Sequence, residues 1–351
     1  MAGFDFYNKA EYLQQLERRI NKAMPGSRVL LMTMDFEPER PEIASLMATL
    51  QQAAERGVQV NCAVDAHTFL VNGPLPGPLW YHNDLPDEAK GPSKLKQQLL
   101  NQLNQQKTAR AVILHKPGKR FSLPIAGRSH IKIAIIDNYV MVGGCNLDNP
   151  SHVDLMIGWD DAGSANTLFD TMGHILDVGS ARTALSNKDV RLPFGATDQI
   201  LIDAGVPNQS LIFNNALELI DAAQEWLVIT CQFFPNSVTA QHLLAATKRG
   251  VKVEIIFTHP AQHGPIGRRI QDVSMLIERS RLPRRMFAGQ LGAKGPLLHA
   301  KLIACDQGIM IGSHNYVRAG VVLGTAEVAL RSPSAELARA AVDKLGAQLT
   351  Q

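Results

Sequence analysis

Two stretches of this chain are near copies of two others, in the same order. Residues 53–60 read AAERGVQV and residues 246–253 read ATKRGVKV, an offset of 193. Residues 130–146 read HIKIAIIDNYVMVGGCN and residues 299–315 read HAKLIACDQGIMIGSHN, an offset of 169. A period this long lies far beyond any solenoid repeat and describes two copies of one domain. The fall in offset gives the first copy 24 additional residues, which lie within 68–128 and include the Pro/Gly-rich run NGPLPGPLWYHNDLP. A chain of 351 residues has room for two domains of ordinary size.

Local patterning gives the class of each copy. Leu13, Leu16, Ile20 and Ala23 keep helical spacing, and Pro25–Gly26 stops that helix. Ile43, Leu46, Met47 and Leu50 mark a second helix, with Gly57 as its cap, and Leu168, Met172, Ile175 and Leu176 mark a third. Short β-rich runs alternate with these: 29–33, 58–64, 131–136 and 139–142, then 227–230, 251–257, 302–304 and 309–311. Alternating helices and buried strands predict an α/β fold, with a mixed β-sheet flanked by helices in each of two tandem domains. The polar run at 186–198, with Pro193 and Gly195, places the division so that the first domain is 1–193 and the second 194–351. The two copies are expected to face each other about a pseudo-twofold axis.

The longer repeat carries the chemistry. Read as a strand, HIKIAIID puts His130 and Lys132 on one face and Ile131 and Ile133 on the other. A tight Gly143–Gly144 turn then brings Asn146 back to the surface that holds them, and His299, Lys301 and Asn315 repeat the pattern. Lysine and asparagine offer donors to phosphate oxygens, and histidine serves as nucleophile or proton donor near neutral pH. Brought together, two His, two Lys and two Asn make a two-step phosphodiester site that needs no metal or cofactor. One His would attack phosphorus, and the other would protonate the leaving oxygen and then activate the acceptor. A single such run would equally suit a strand with a polar face; two, each followed after the same gap by G-[GS]-x-N, favour function. Asp137 and Asp306 fall off the lysine face and are expected to support the turn after the strand. Asp154 and Glu327 each open an apolar run after the asparagine, and a carboxylate there would orient a histidine; the alternative is a strand-end surface charge.

These residues resemble the phospholipase D superfamily signature, HxKxxxxD followed by GSxN. Residues 224–257, QEWLVITCQFFPNSVTAQHLLAATKRGVKVEIIF, are similar to the second-half segment of bacterial cardiolipin synthases. The resemblance implies two phospholipase D-like domains and a covalent phosphohistidine, with His130 as nucleophile and His299 as general acid/base. It also implies a phosphatidyltransferase or phosphodiesterase acting on anionic phospholipid, with a family nuclease as the alternative and a non-catalytic binding protein as a third reading.

Composition narrows this. A net charge of +3 excludes a generally basic nucleic-acid-binding protein, so any attraction must be local. It is local: between Glu88 and Asp137 there are ten Lys or Arg and no acid, including Lys94, Lys96, Lys107, Arg110, Lys116 and Arg128. Between Glu278 and Asp306 the same holds, with Arg279, Arg281, Arg284, Arg285 and Lys294. A basic mouth over the site would draw an anionic membrane surface, or a nucleic-acid backbone. Aromatics are 6% and do not interleave with the basic residues, which leans away from single strands. Leu75, Leu79, Trp80 and Tyr81 make the insertion either an interfacial loop or one packed on its own domain. Four separated cysteines, no signal-peptide pattern and no apolar run near the roughly 18 residues of a membrane span lead to an expectation of a cytoplasmic protein, peripheral on the inner membrane face. No obligate protein partner is indicated.

Overall fold

The computed structural model describes residues 3–70, 92–116, 126–235, 237–259 and 297–349, with scattered positions between 272 and 290. The first sheet has seven strands: β1 (Phe4–Tyr7), β2 (Arg28–Thr33), β3 (Gln59–Asp65), β4 (Ala109–Leu114), β5 (Ile133–Ile136), β6 (Tyr139–Gly143) and β7 (Met156–Asp160). Around it run helices α1 (Lys9–Lys22), α2 (Pro41–Glu55), the single turn α3 (His67–Leu70), α4 (Pro92–Asn104), α5 (Ala162–Val178) and the single turn α6 (Ala181–Ala184). The second sheet has eight: β8 (Val190–Phe194), β9 (Asp198–Ala204), β10 (Trp226–Cys231), β11 (Lys252–Phe257), β12 (Gly289–Gln290), β13 (Leu302–Cys305), β14 (Gly308–Gly312) and β15 (Ala326–Ser332). Its helices are α7 (Leu211–Ala222), α8 (Val238–Lys248), α9 (Arg318–Leu323) and α10 (Ala335–Leu349).

The two sheets have one topology. The first runs β4-β3-β2-β5-β6-β7-β1 and the second β12-β11-β10-β13-β14-β15-β9, with β8 added at its edge. In each, three parallel strands meet an antiparallel meander, so both sheets are mixed. Strand β8, which ends astride the expected division at 193/194, pairs with β9 in the second sheet. Within 68–128, the span that holds the 24 additional residues, residues 71–91 and 117–125 lie outside the described residues, and with them Leu75, Leu79, Trp80 and Tyr81. The rest of 68–128 includes α4 and β4, and β4 extends the parallel part of the sheet beside β3 as β12 does beside β11.

Local chemistry explains the repeats. Asn8 caps α1 in a reciprocal box with Glu11, and Leu13, Leu16 and Ile20 bury the inward stripe. The RGV element marks equivalent helix-to-strand turns: Gly57 and Gly250 take φ of 92° and 95°, a conformation that costs little only without a Cβ. Gly143 and Gly312 are glycine for another reason. A Cβ on Gly143 would come within 2.8 Å of Met156 Cα, and one on Gly312 within 2.6 Å of Ala329 Cα.

Helices α1, α2 and α4 cover the outer face of the first sheet, and α7 and α8 cover that of the second. The inner faces close a shared core with α5 and α10, where Leu30, Ile133, Val140 and Ile157 join Leu302, Ile311, Val328 and Leu330. The halves are also stitched by backbone. Ser129 bridges to Ala326, and Val153 bridges to Leu298, contacts that are equivalent under the repeat. The regular strands therefore begin only at Ile133 and Leu302. The expected strand over 131–136 is shorter; just before it the backbone is drawn to the other half, Arg128 O accepting the Ala326 N–H at 2.8 Å and His130 N–H reaching Ala326 O at 2.7 Å.

Candidate active site

Each histidine lies in the extended segment that crosses to the opposite half, and each is met there by the opposite half's acid. His130 Nδ1 is 2.9 Å from Glu327 Oε2, and His299 Nδ1 is 2.7 Å from Asp154 Oδ2. Asp154 precedes β7 and Glu327 is the second residue of β15. The two carboxylates are thus exchanged between the copies. All four groups are buried, as are Lys132 and Lys301. With Nδ1–H donated to a carboxylate, each imidazole keeps the other ring nitrogen for chemistry.

The lysines share one arrangement. Lys132 Nζ donates to the carbonyl of His130 at 2.9 Å, and Lys301 Nζ to the carbonyl of His299. An ammonium has three N–H donors, so two remain for a ligand. Asn146 accepts the Asp35 N–H through Oδ1 at 3.4 Å, beside β2. The Asn315 Oδ1 is buried without a hydrogen-bond partner among the described residues.

Burial and mutual charge set the protonation states. Burial, opposed by Glu327 and aided by Lys132, takes His130 down to about 4. Burial and then Lys301 push His299 well below the usual range. Burial lowers Lys132 to about 7, with Lys301 adding to the fall, and lowers Lys301 to about 8 against the pull of Asp154 and Glu327. Burial alone would raise Glu327, but His130 and its hydrogen bond outweigh it and hold the acid at about 2; Asp154 is held low by His299 in the same way. The resting site thus pairs neutral imidazoles with ionised carboxylates, and two lysines titrate near neutrality. An anion seated between the lysines would favour their charged forms and those of the histidines.

The two pairs are not equal. Glu327 also receives the hydroxyls of Ser313 on Oε2 and of Thr325 on Oε1. Asp154 receives, besides His299, the Leu155 N–H. Where the second half has Ser313 the first has Gly144, and the Asp154 carboxylate fills the space a side chain would need, with the His299 carbonyl 3.2 Å from a built Cβ.

Asp137 and Asp306 stand apart from this cluster. Asp137 takes φ of 51° and accepts the Arg28 N–H at 2.9 Å; Asp306 accepts the N–H groups of Gln224, Glu225 and Trp226. Both tie the turn after the motif strand to a neighbouring strand. The basic run before His130 is thinned in the same way. Lys96 is buried and donates to Thr68, Arg110 pairs with Asp177, and Arg128 is buried against His115 O. Lys94, Lys107 and Lys116 remain exposed, while Arg279, Arg281, Arg284, Arg285 and Lys294 lie outside the described residues.

Sequence reading overlooked the wall beside Asn146. Lys9, at the start of α1, is buried against Asp148, and His152 lies beside the His299 ring with centroids 6.2 Å apart. A lysine in the first turn of an amphipathic helix is ordinarily exposed, so the amino-acid order carried no signal for that wall.

Tandem α/β units that pool one His and one Lys each define the phospholipase D fold. The family model described as "Cardiolipin synthase, PLD-like domain" matches residues 16–166 and 216–347, and the chain belongs to that family. No curated protein matches by sequence. Among solved structures, the phosphatidylserine synthase of Haemophilus influenzae Rd KW20 is similar at a TM-score of 0.69 and 15% identity, over 99% of this chain and 86% of that one. The polyphosphate kinase of Porphyromonas gingivalis is similar at 0.58 and 12% identity, over 99% of this chain and 50% of the other. Nuc, a phospholipase D family member from Salmonella typhimurium, aligns with 44% of this chain and 95% of its own at a TM-score of 0.34 and 23% identity.

Proposed function

We propose that this protein is a phosphatidyltransferase or phosphodiesterase acting on anionic phospholipid through a covalent phosphohistidine. The observation that carries the reading is the exchanged pairing, His130 with Glu327 and His299 with Asp154, beside two buried lysines. The lysines bind the phosphodiester oxygens, aided by Asn146 and Asn315. His130 attacks phosphorus through its free nitrogen, and the bond to the leaving alcohol breaks as His299 protonates that oxygen. The acceptor hydroxyl then gives its proton to His299 and its oxygen to phosphorus, and His130 is released.

The hydrogen-bond asymmetry supports these roles. Ser313 and Thr325 disperse the charge on Glu327, which favours neutral, nucleophilic His130. Asp154 has no hydroxyl donor among the described residues and is the better partner for an imidazolium at His299. The family description and the presence of both half-sites in one chain support a lipid substrate. On this reading the protein works at an anionic membrane surface from the cytoplasmic side; no described helix is long and apolar enough to cross a bilayer.

The test is turnover of phosphatidylglycerol vesicles beside single-stranded DNA, read by mass spectrometry, with His130→Ala as control. Cardiolipin or phosphatidic acid formed only by the intact protein supports the reading and separates transfer from hydrolysis. Cleaved DNA with untouched lipid makes the protein a nuclease. Full activity in the His130→Ala variant refutes the mechanism.

A further inference from the structure

A third imidazole stands at the site. His152 lies in the loop between Asn146 and Asp154, and its ring centroid is 6.2 Å from that of His299 at a tilt of 38°. The loop is anchored next to it, because Val153 O accepts both His299 N–H and Ala300 N–H. Its Nδ1 is buried without a hydrogen-bond partner among the described residues and faces Asp148 Oδ1 at 3.8 Å. Asp148 is held by buried Lys9 and by Asn146 Nδ2 at 3.5 Å, so its position is set from two sides. The side chain as a whole is 21% exposed. With Nδ1 buried, the outer edge of the ring, which carries Nε2, is the part that reaches solvent. A proton on Nδ1 is favoured by the nearby carboxylate and leaves Nε2 as an acceptor.

We infer that His152 receives the acceptor of the second half-reaction, taking a hydrogen bond from a hydroxyl that does not react while His299 takes the reacting proton. This rests on the phosphoryl-transfer reading above. Ring centres 6.2 Å apart put both imidazoles within reach of one small acceptor, since each nitrogen-to-hydroxyl hydrogen bond takes about 2.8 Å. Water has a second O–H to offer and a polyol has a neighbouring hydroxyl, whereas a simple monohydric alcohol has neither. His152 therefore selects polyol and water over monohydric alcohol. The atoms balance as in the main reaction: the acceptor's O–P bond forms, the N–P bond at His130 breaks, and one proton passes to His299. His152 keeps its own proton throughout.

The test uses bis(4-nitrophenyl) phosphate with glycerol or 1-propanol as competing acceptors. 4-Nitrophenol release reports attack by His130, and the product ratio reports the acceptor. The wild type is expected to prefer glycerol to 1-propanol, and His152→Phe to lose about tenfold of that preference, the effect of one missing hydrogen bond, read as the product ratio at whatever rate 4-nitrophenol is released. His152→Gln, which keeps an acceptor oxygen, is expected to recover part of it. Normal release with the same preference in all three proteins overturns this inference alone. No release from the wild type overturns the phosphoryl-transfer reading and this inference with it.

Discussion

Glu327→Gln tests both the exchanged pairing and the order of the histidines. The change keeps the shape of the side chain and removes its charge from a buried group 2.9 Å from His130 Nδ1. A hydrogen bond to a charged partner contributes about 1.5–3 kcal/mol, or roughly 10- to 150-fold in rate. An amide can also present N–H to Nδ1 and hold the imidazole in the wrong tautomer, which in serine proteases raises the loss to about 10⁴. Glu327→Gln should therefore slow attack on bis(4-nitrophenyl) phosphate by about 10²–10⁴. Asp154→Asn makes the same change at His299, but 4-nitrophenolate leaves without needing a proton. That variant should release the first 4-nitrophenol at a rate within about tenfold of wild type and stall on poorer leaving groups. Stopped-flow absorbance with both variants, and circular dichroism to verify folding, makes the comparison. Equal losses in both, or a larger loss in Asp154→Asn, would refute the assignment of His130 as nucleophile.

Other consequences follow from the same site. Lys132 and Lys301, lowered to about 7 and about 8, are charged below those values, so kcat/KM should fall as pH rises through 7–8; a profile level from pH 6 to 9 would contradict this. His130 is neutral in the fold down to about 4, whereas an unfolded chain takes up that proton near 6.5. This histidine therefore makes stability decline as pH falls from about 6.5 to about 4, by about 1.4 kcal/mol per pH unit, and His130→Gln should flatten that part of a denaturation series. Gly144→Ala pushes a methyl into the Asp154 carboxylate and should cost about 1–3 kcal/mol of stability with loss of turnover, checked by urea melts and assay. EDTA should leave turnover unchanged on the proposed phosphohistidine scheme, which routes no step through a metal; turnover lost on chelation and restored by a divalent ion would contradict it.

Much of the architecture is present in the amino-acid order. The repeated RGV and HxK runs announce two copies, because a positive-φ turn and a close strand approach each require glycine at the equivalent place, Gly57 with Gly250 and Gly143 with Gly312. Apolar periodicity places α1, α2, α5 and the central strands β2, β5, β6, β10 and β13, since it reports which face of an element is buried. The edge strands β1 and β8 lack that signal. Their ladders depend on their partners β7 and β9, found only once the chain is folded.

The site divides in the same way. Which residues do chemistry could be read from the two motifs, as residue type and spacing are local properties. Who pairs with whom could not. Glu327 belongs to His130 and Asp154 to His299 because the halves dock through the bridges Ser129–Ala326 and Val153–Leu298, joining segments 197 and 145 residues apart in sequence. Charge along the chain misleads for the same reason: Lys96 and Arg128 look like part of a basic mouth, yet the fold buries both against backbone carbonyls. Sequence order lists the donors and acceptors, while hydrogen bonding and burial between remote segments decide which of them meet, and that exists only in the folded chain.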